Sequence, residues 1–137
     1  MTNQNLSPEL FRVIDANLNR LKEGIRVVED ITRYRDNNRK LSLKLKQLRH
    51  TAQVEITSQL LINRDAINDV LRPTIATELN RTDIDSIIVA NFKRTQEASR
   101  VLEELFKLCN NEYSERFKHI RYELYDIEKV VVLKRGE

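Results

Sequence analysis

One helical motif occurs twice in this chain without a gap, and this repeat constrains the fold more than any other feature. Residues 16–30 read ANLNRLKEGIRVVED and residues 90–104 read ANFKRTQEASRVLEE, so both follow A-N-x-x-R-x-x-E-x-x-R-V-x-E and end on an acid. Apolar residues in and around both copies recur every three or four positions, which is typical of a helix with one buried face. The repeat therefore predicts a helical hairpin that is used twice, with halves related by an approximate two-fold axis.

Capping residues and turns indicate where the helices begin and end. Ser7-Pro8 favours a helix start, because serine accepts a backbone hydrogen bond and proline suits the first helical position. Thr82-Asp83 is expected to cap a later helix in the same way. Asn37-Asn38 and Asn110-Asn111 break the apolar pattern and mark turns. The apolar spacing from Leu41 to Leu60 predicts one further helix between them.

The middle of the chain is expected to be irregular. Between residues 63 and 81 the periodicity weakens, and Pro73 forbids an uninterrupted helix. We therefore predict a single all-α domain over residues 1–137, built as a bundle of about four long helices. Its repeat halves cover residues 8–64 and 82–133, and an irregular link, residues 65–81, joins them.

The composition excludes several classes of protein. The single cysteine, Cys109, cannot form an internal disulfide and fits a reducing compartment. No apolar stretch reaches the length of a membrane span, and the polar start of the chain is unlike a signal peptide, so we expect a cytoplasmic protein that binds no membrane. The formal net charge is only +3 and acids lie close to the basic residues, which argues against nucleic-acid binding.

The sequence offers no glycine-rich loop for phosphate binding, because it contains only two glycines. Any bound phosphate must then be held by arginine and lysine side chains. One basic neighbourhood runs from Arg33 to Arg49. Two interpretations stay open for it, a solvated helix face and an anion-binding surface.

The residues that are identical in the two copies of the motif are mostly polar. These repeated pairs, here called the polar ladder, are Asn17 and Asn91, Arg20 and Arg94, Glu23 and Glu97, Arg26 and Arg100, and Glu29 and Glu103. A freely solvated face has little physical reason to keep residue identity, and asparagine is a poor residue in mid-helix. Two explanations stay open, a structural ladder of ion pairs and a ligand-binding site, and the two can coexist.

Two further groups of residues are candidates for a site. Arg64, Asp65 and Asp69 lie at the start of the irregular link, where functional residues tend to collect. Two carboxylates beside an arginine suit a hydrated Mg²⁺ next to a phosphate, and helix capping by the aspartates is the alternative. On the last helix, Arg121 is the repeat counterpart of Arg49 and can face the same polar centre.

The motifs resemble those of a known family. The run from Arg12 to Asp30, RVIDANLNRLKEGIRVVED, is similar to the opening signature of a small helical domain of bacterial thiamine biosynthesis. Three later stretches are also similar to the family's motifs: Arg64-Asp65 with Asp69-Val70, Val89 to Glu104, and Arg121-Tyr122 with Leu124-Tyr125. The chain departs from the family pattern at Leu71, where the pattern has glycine. Members of the family are hydroxymethylpyrimidine phosphate kinases and are often fused in front of thiamine-phosphate synthase.

The resemblance implies an enzyme that transfers a phosphoryl group from ATP, with Mg²⁺, to the small phosphorylated pyrimidine and forms its diphosphate. The acceptor is already an ionised phosphate, so this reaction needs no strong general base. The implied roles are catalysis for Arg20, Arg94 and Asp65; substrate binding for Asn17, Asn19, Glu23, Arg26, Asn91, Glu97 and Arg100; phosphate binding for Arg49, Arg64 and Arg121; and metal binding for Asp65 and Asp69.

A second function stays open beside the kinase. The chain can be a non-catalytic helical module that docks on thiamine-phosphate synthase or binds a phosphorylated ligand. An enzyme needs arginines and carboxylates that converge on a cleft, whereas a docking module needs an exposed apolar patch. Long amphipathic helices in a small bundle also favour a homodimer.

Overall fold

The fold was analysed in a computed structural model that describes residues 6–75 and 79–135. This part of the chain contains five α-helices and no β-strand: α1 (Pro8–Asp30), α2 (Arg39–Thr51), α3 (Thr57–Ile62), α4 (Ile84–Phe106) and α5 (Asn111–Arg135). The predicted all-α class is confirmed. Residues 1–5, 76–78 and 136–137 lie outside the described residues, and with them part of the predicted link 65–81 and both ends of the predicted domain.

The two helices that carry the repeated motif begin where the sequence predicts. Ser7 Oγ accepts a hydrogen bond from the backbone N–H of Leu10 at 3.3 Å, and Pro8 is the first residue of α1. At the start of α4, Asp83 and Ser86 form a reciprocal capping box, in which each side chain accepts from the other residue's backbone N–H. Local capping chemistry therefore fixes both starts.

The predicted second helix is broken, because α2 ends at Thr51 and α3 begins only at Thr57. The backbone between them bonds to side chains of α5 instead of continuing the helix. The N–H of Glu55 donates to the hydroxyl of Tyr113 at 2.8 Å, and Arg116 donates to the carbonyl of Gln53. The apolar spacing still holds across the break, because Ala52, Ile56 and Leu60 are all buried.

A π-helical turn, Ile31–Arg35, follows α1 directly and was not predicted. The hydroxyl of Thr32 donates to the carbonyl of Val28 at 2.7 Å within this region. Asn37 then takes a positive φ of 53°, and Asn38 caps α2 by accepting from the N–H of Leu41 at 3.1 Å. The predicted break at Asn37-Asn38 is therefore present, with a widened helical turn in front of it.

The core lies between α1, α4 and the helices that follow each of them. Its largest fully buried apolar side chains are Ile14, Leu21, Ile25, Leu45, Ile88, Phe92, Leu102, Phe106, Phe117, Ile120 and Leu124. Helices α1 and α4 approach closely at Gly24, where an added Cβ would lie 2.6 Å from Thr95 Cγ2. Within the described residues, no helix combines the length and hydropathy needed to cross a membrane.

Candidate functional site

The structure gives the two asparagines of the polar ladder the same local role. Asn17 Nδ2 donates to the carbonyl of Val13 at 2.9 Å, and Asn91 Nδ2 donates to the carbonyl of Ile87 at 2.8 Å. Each amide therefore bonds to its own helix four residues back. The carbonyl oxygen of each side chain makes no hydrogen bond within the described residues and stays available as an acceptor.

The last glutamate of each motif copy forms a salt bridge with the next long helix. Glu29, only 2% exposed, accepts from Arg49 Nε at 2.8 Å and Nη2 at 3.2 Å. Glu103 accepts from Arg121 Nη2 at 2.9 Å and Nε at 3.3 Å. Two of the three predicted phosphate-binding arginines, Arg49 and Arg121, are thus engaged by glutamates that join the helices of each half.

These pairs also act on the pKa values of the arginines. The hydrogen bonds from Arg49 to Glu29 raise the pKa of Arg49, and this effect is larger than the lowering caused by partial burial. Burial lowers the pKa of Arg121, but the hydrogen bonds to Glu103 and Tyr125 reverse the effect and leave it raised. Both guanidinium groups are therefore charged at any physiological pH.

The ladder divides into residues with a structural partner and residues without one. Arg26 pairs with Asp30 at 3.3 Å and Arg100 with Glu104 at 3.2 Å, on exposed helix surface in both halves. Such exposed pairs contribute little to stability, because water and salt screen them. Four exposed ladder residues make no hydrogen bond or ion pair with any residue that the structure describes: Arg20, Glu23, Arg94 and Glu97. A structural ladder does not explain why these four are repeated.

Six of the residues predicted for the site line one cleft of about 490 Å³ between α1 and the segment that follows α3. They are Asn17, Asn19, Arg20, Arg64, Asp65 and Asp69, and the cleft is completed by Glu9, Arg12, Val13, Asp15, Ala16 and Ala66. Its volume is in the range of small-molecule sites. We call it the α1 cleft.

Two arginine contacts fix the wall of the α1 cleft. Arg64 donates from Nε to Asp15 Oδ2 and from Nη2 to Asp15 Oδ1, both at 2.7 Å. Arg12 Nη2 donates to the backbone carbonyl of Asp65 at 2.7 Å. Asp15 is buried while the side chain of Arg64 is 45% exposed, so the carboxylate orients a guanidinium whose remaining N–H groups reach solvent. The hydrogen bonds to Asp15 raise the pKa of Arg64.

The two predicted metal ligands stabilise turns of the link. Asp65 accepts from the side chain of Asn68 at 2.7 Å and from its backbone N–H at 3.2 Å, and these bonds lower the pKa of the Asp65 carboxyl. Asp69 Oδ1 accepts from the N–H of Leu71 at 2.9 Å, and Asp69 Oδ2 has no hydrogen bond within the described residues. Neither aspartate caps a helix, because no described α-helix begins between Ile62 and Ile84. Their predicted role as metal ligands stays a prediction. No group of three or more possible metal ligands occurs in residues 6–75 and 79–135.

The other predicted site residues lie elsewhere. Glu97, Arg100 and Arg121 line a second cleft of about 480 Å³ between α4 and α5, together with Lys93, Gln96 and Tyr125. Glu23, Arg26, Arg49, Asn91 and Arg94 line neither this cleft nor the α1 cleft. The roles predicted for these eight residues stay predictions. The structure places them apart from the α1 cleft, which is lined by α1 and residues 64–69 alone.

Sequence reasoning missed Arg12 and Asp15 as site residues. The repeat could not reveal them, because Ser86 and Val89 stand at the corresponding positions of the second half. The sequence feature that could have revealed them is their position in the opening motif. Both are charged there, whereas the corresponding residues of the second half are uncharged. Asp15 meets Arg64 only through tertiary structure, so the spacing along the chain did not indicate the pair.

The chain was compared with families and individual proteins that are already known. The model of the ThiD2 family matches residues 12–130, so the chain belongs to the ThiD2 family. It is similar to thiamine-phosphate synthase of Thermosynechococcus vestitus, with 38% identity over 139 residues, 95% of this chain and 39% of that protein. Synechocystis sp. thiamine-phosphate synthase is 41% identical over 127 residues, 91% of this chain and 37% of that protein.

A third relative comes from outside these two organisms. Thiamine-phosphate synthase of Rhodopirellula baltica is 37% identical over 139 residues, 98% of this chain and 37% of that protein. The chain thus spans less than two-fifths of the length of these curated relatives. No solved structure matches it.

Proposed function

We propose that this protein acts in thiamine biosynthesis as a hydroxymethylpyrimidine phosphate kinase and that the α1 cleft is its active site. Membership of the ThiD2 family and the names of the relatives support the pathway. The observation that carries the site is the convergence of Arg20, without a partner in the described chain, with Asn17 and Arg64 on one cleft. In the reaction, an acceptor phosphate oxygen bonds to the terminal phosphorus of ATP, the bond from that phosphorus to the bridging oxygen breaks, and ADP leaves.

The cleft contains groups that suit both ends of the acceptor. The free carbonyl oxygen of Asn17 can accept from the exocyclic amine of an aminopyrimidine, and Asn19 can donate to a ring nitrogen. Arg20 supplies five N–H donors to a phosphate, and its exposed side chain does not have to leave an internal partner first. Arg64 adds donors from a guanidinium that Asp15 already orients.

The charge of the cleft favours a nucleotide that carries a cation. Arg64 and Asp15 neutralise each other, which leaves Arg12 and Arg20 against three carboxylates, those of Glu9, Asp65 and Asp69. Bare ATP would meet repulsion from these acids. Mg²⁺ normally binds through one or two carboxylates together with phosphate oxygens and water, and the free Oδ2 of Asp69 beside Asp65 fits that role. When bound, the ion would offset negative charge on the transferred phosphoryl group.

The test is ADP formation from ATP and Mg²⁺ with hydroxymethylpyrimidine phosphate as acceptor, by the wild type and by Arg20→Ala. Loss of one charge-assisted phosphate contact is expected to lower kcat/KM by roughly 10–100-fold. Arg81→Ala is the matched control, because the side chain of Arg81 is exposed and, among the described residues, bonds only to the carbonyl of its neighbour Asn80. Absence of turnover by the folded wild type would refute the kinase.

The same assay on Arg94→Ala examines the repeat counterpart of Arg20. A loss confined to Arg20→Ala supports a site in the α1 cleft alone. An equal loss in Arg94→Ala would refute that placement and favour a composite site that includes the second half. Both side chains are exposed, so neither substitution is expected to unfold the chain.

One observation favours docking as a second candidate function. Large apolar side chains are exposed in and beside the link, including Ile62 at 81%, Ile67 at 80%, Val70 at 91% and Leu71 at 81%. In the relatives, the region similar to this chain is continuous with further sequence of a thiamine-phosphate synthase. We propose such a synthase as the partner of this apolar surface. Co-sedimentation with a purified synthase that Val70→Asp abolishes supports docking, and no co-sedimentation at any concentration tested refutes it.

A further inference from the structure

A third cleft, of about 390 Å³, lies at the far end of α1, where the π-helical turn leads into α2. Three basic side chains line it: Arg33 from the π-helical turn, and Arg39 and Lys46 from α2. Neither the repeat nor the proposed kinase site uses these residues. We call this the basic cleft.

Local structure brings the three cations together. Arg39 and Lys46 are seven residues apart, so two turns of α2 place them on the same face of the helix. Arg33 lies in the π-helical turn that follows α1. The positive φ of Asn37 marks the bend after which α2 begins, and Arg33 and α2 line the same cleft. Asn38 holds this arrangement by capping α2.

The cations of the basic cleft are not neutralised within the described chain. Arg39 and Lys46 make no hydrogen bond or ion pair there, and Arg33 contacts only the ring of Tyr34, at 4.9 Å from its centre. The carboxylate in the lining belongs to Glu29, which is buried and bridged by Arg49 at 2.8 and 3.2 Å. Three unopposed cations around a concave surface create a positive potential that attracts anions.

The acids next to the cleft along the chain do not cancel this charge. Asp30 pairs with Arg26 on the exposed side of α1, and Asp36 lines a neighbouring cavity rather than this one. That cavity contributes two further cations, Arg35 and Lys134. Even with Asp36 and Glu29 counted, the linings of these two cavities contain more bases than acids, whereas the lining of the α1 cleft has more acids than bases.

We propose that the basic cleft binds a small molecule through its diphosphate group, with Arg33, Arg39 and Lys46 as the ligands. Three convergent cations match the charge of a diphosphate better than that of a single carboxylate. The site is separate from the proposed active site, because Asp15 and Arg33 are about 25 Å apart at the rise of an α-helix. At this separation, a ligand bound here cannot take part in phosphoryl transfer in the α1 cleft.

The test is calorimetric titration of the full chain with inorganic pyrophosphate at low ionic strength, with ADP and orthophosphate as further arms. Saturable binding of pyrophosphate is expected, and Lys46→Ala is expected to raise Kd by about tenfold, the effect of one lost charge-assisted contact. Lys44→Ala is the matched control, since Lys44 is an exposed lysine of α2 that does not line the cleft. Tighter binding of ADP than of pyrophosphate would identify the nucleotide as the source of the diphosphate if Lys46→Ala weakens that binding and Arg20→Ala spares it.

Two outcomes would overturn the proposal. One is the absence of saturable binding by any of the three anions. The other is an equal rise in Kd for Lys44→Ala and Lys46→Ala, which would mean a diffuse positive surface and no site. Titration of Arg20→Ala separates this proposal from the kinase: binding that Arg20→Ala abolishes and Lys46→Ala spares belongs to the α1 cleft and refutes a site at the basic cleft.

Discussion

The substitution Gly24→Ala provides a direct test of how closely α1 and α4 pack. A Cβ atom at position 24 would lie 2.6 Å from Thr95 Cγ2, about 1 Å closer than an ordinary carbon–carbon contact. Thr95 is fully buried, and its hydroxyl donates to the carbonyl of Phe92 at 2.7 Å. Rotating the methyl group away would therefore break a buried hydrogen bond, so the helices must move apart instead.

The expected magnitude follows from two opposing contributions. Overpacking a well-filled core costs about 1–3 kcal/mol. Alanine in place of glycine within a helix contributes about 1 kcal/mol of stability. We expect Gly24→Ala to lower the free energy of unfolding by about 1 kcal/mol and Tm by about 3–4 °C. Urea denaturation followed by far-UV circular dichroism measures the change.

A double-mutant cycle separates the clash from other effects. Thr95→Ser removes Cγ2 but keeps the hydroxyl, and the next atom near a Cβ at position 24 is then the carbonyl oxygen of Asn91 at 3.4 Å. In this background Gly24→Ala is expected to stabilise by about 0.5–1 kcal/mol, because the helix preference remains and the clash is gone. The same cost of Gly24→Ala in both backgrounds would refute the reasoning.

Three further predictions concern charged groups. Asp15→Asn weakens the hydrogen bonds that orient Arg64 but keeps the shape of the side chain at position 15. It should raise KM for the phosphorylated pyrimidine several-fold, with kcat and circular dichroism unchanged. An unchanged KM would show that Asp15 has only a structural role. Glu103→Gln removes the negative charge that neutralises the buried guanidinium of Arg121 and should cost about 3–5 kcal/mol in urea denaturation. The double variant with Arg121→Met should recover most of that loss, and simply additive losses would contradict a coupled pair. Hydrogen bonds lower the pKa of Asp65 in the folded state below its ordinary value of 3.8, so its contribution to stability is present above that pH and is lost as the pH falls through the folded pKa. Asp65→Asn should therefore lose less stability than the wild type between neutral pH and about pH 3, and equal losses in urea denaturation would contradict the shift.

Part of the proposed site was accessible to sequence reasoning. Asn17 and Arg20 stand out because the repeat keeps them, and Arg64, Asp65 and Asp69 stand out as a polar cluster at the end of a helical pattern. All five line the α1 cleft. Arg49 was equally visible as a basic residue, yet its salt bridge with Glu29 depends on how α2 packs on α1, which the spacing of residues did not indicate.

The second helix shows why a local pattern can mislead. The apolar spacing from Leu41 to Leu60 agrees with one helix, because each of the two short helices keeps the same buried side. The break depends on Tyr113 and Arg116, which lie far along the chain and bond to its backbone. The π-helical turn was missed for a similar reason, since its sequence contains neither glycine nor proline to mark it.

The sequence by itself determined the all-α class, the starts of α1 and α4, the repeat and the buried face of each helix. These features follow from short-range hydrogen bonding at caps and from the removal of apolar side chains from water, both of which depend on residues close in sequence. Tertiary structure alone decided which arginines are held by glutamates and which stay free, where the segment after α3 meets α1, and which cations converge on the basic cleft. The partner of a charged side chain and the strength of their electrostatic interaction depend on distance and burial. Both are fixed only when segments far apart in sequence pack together.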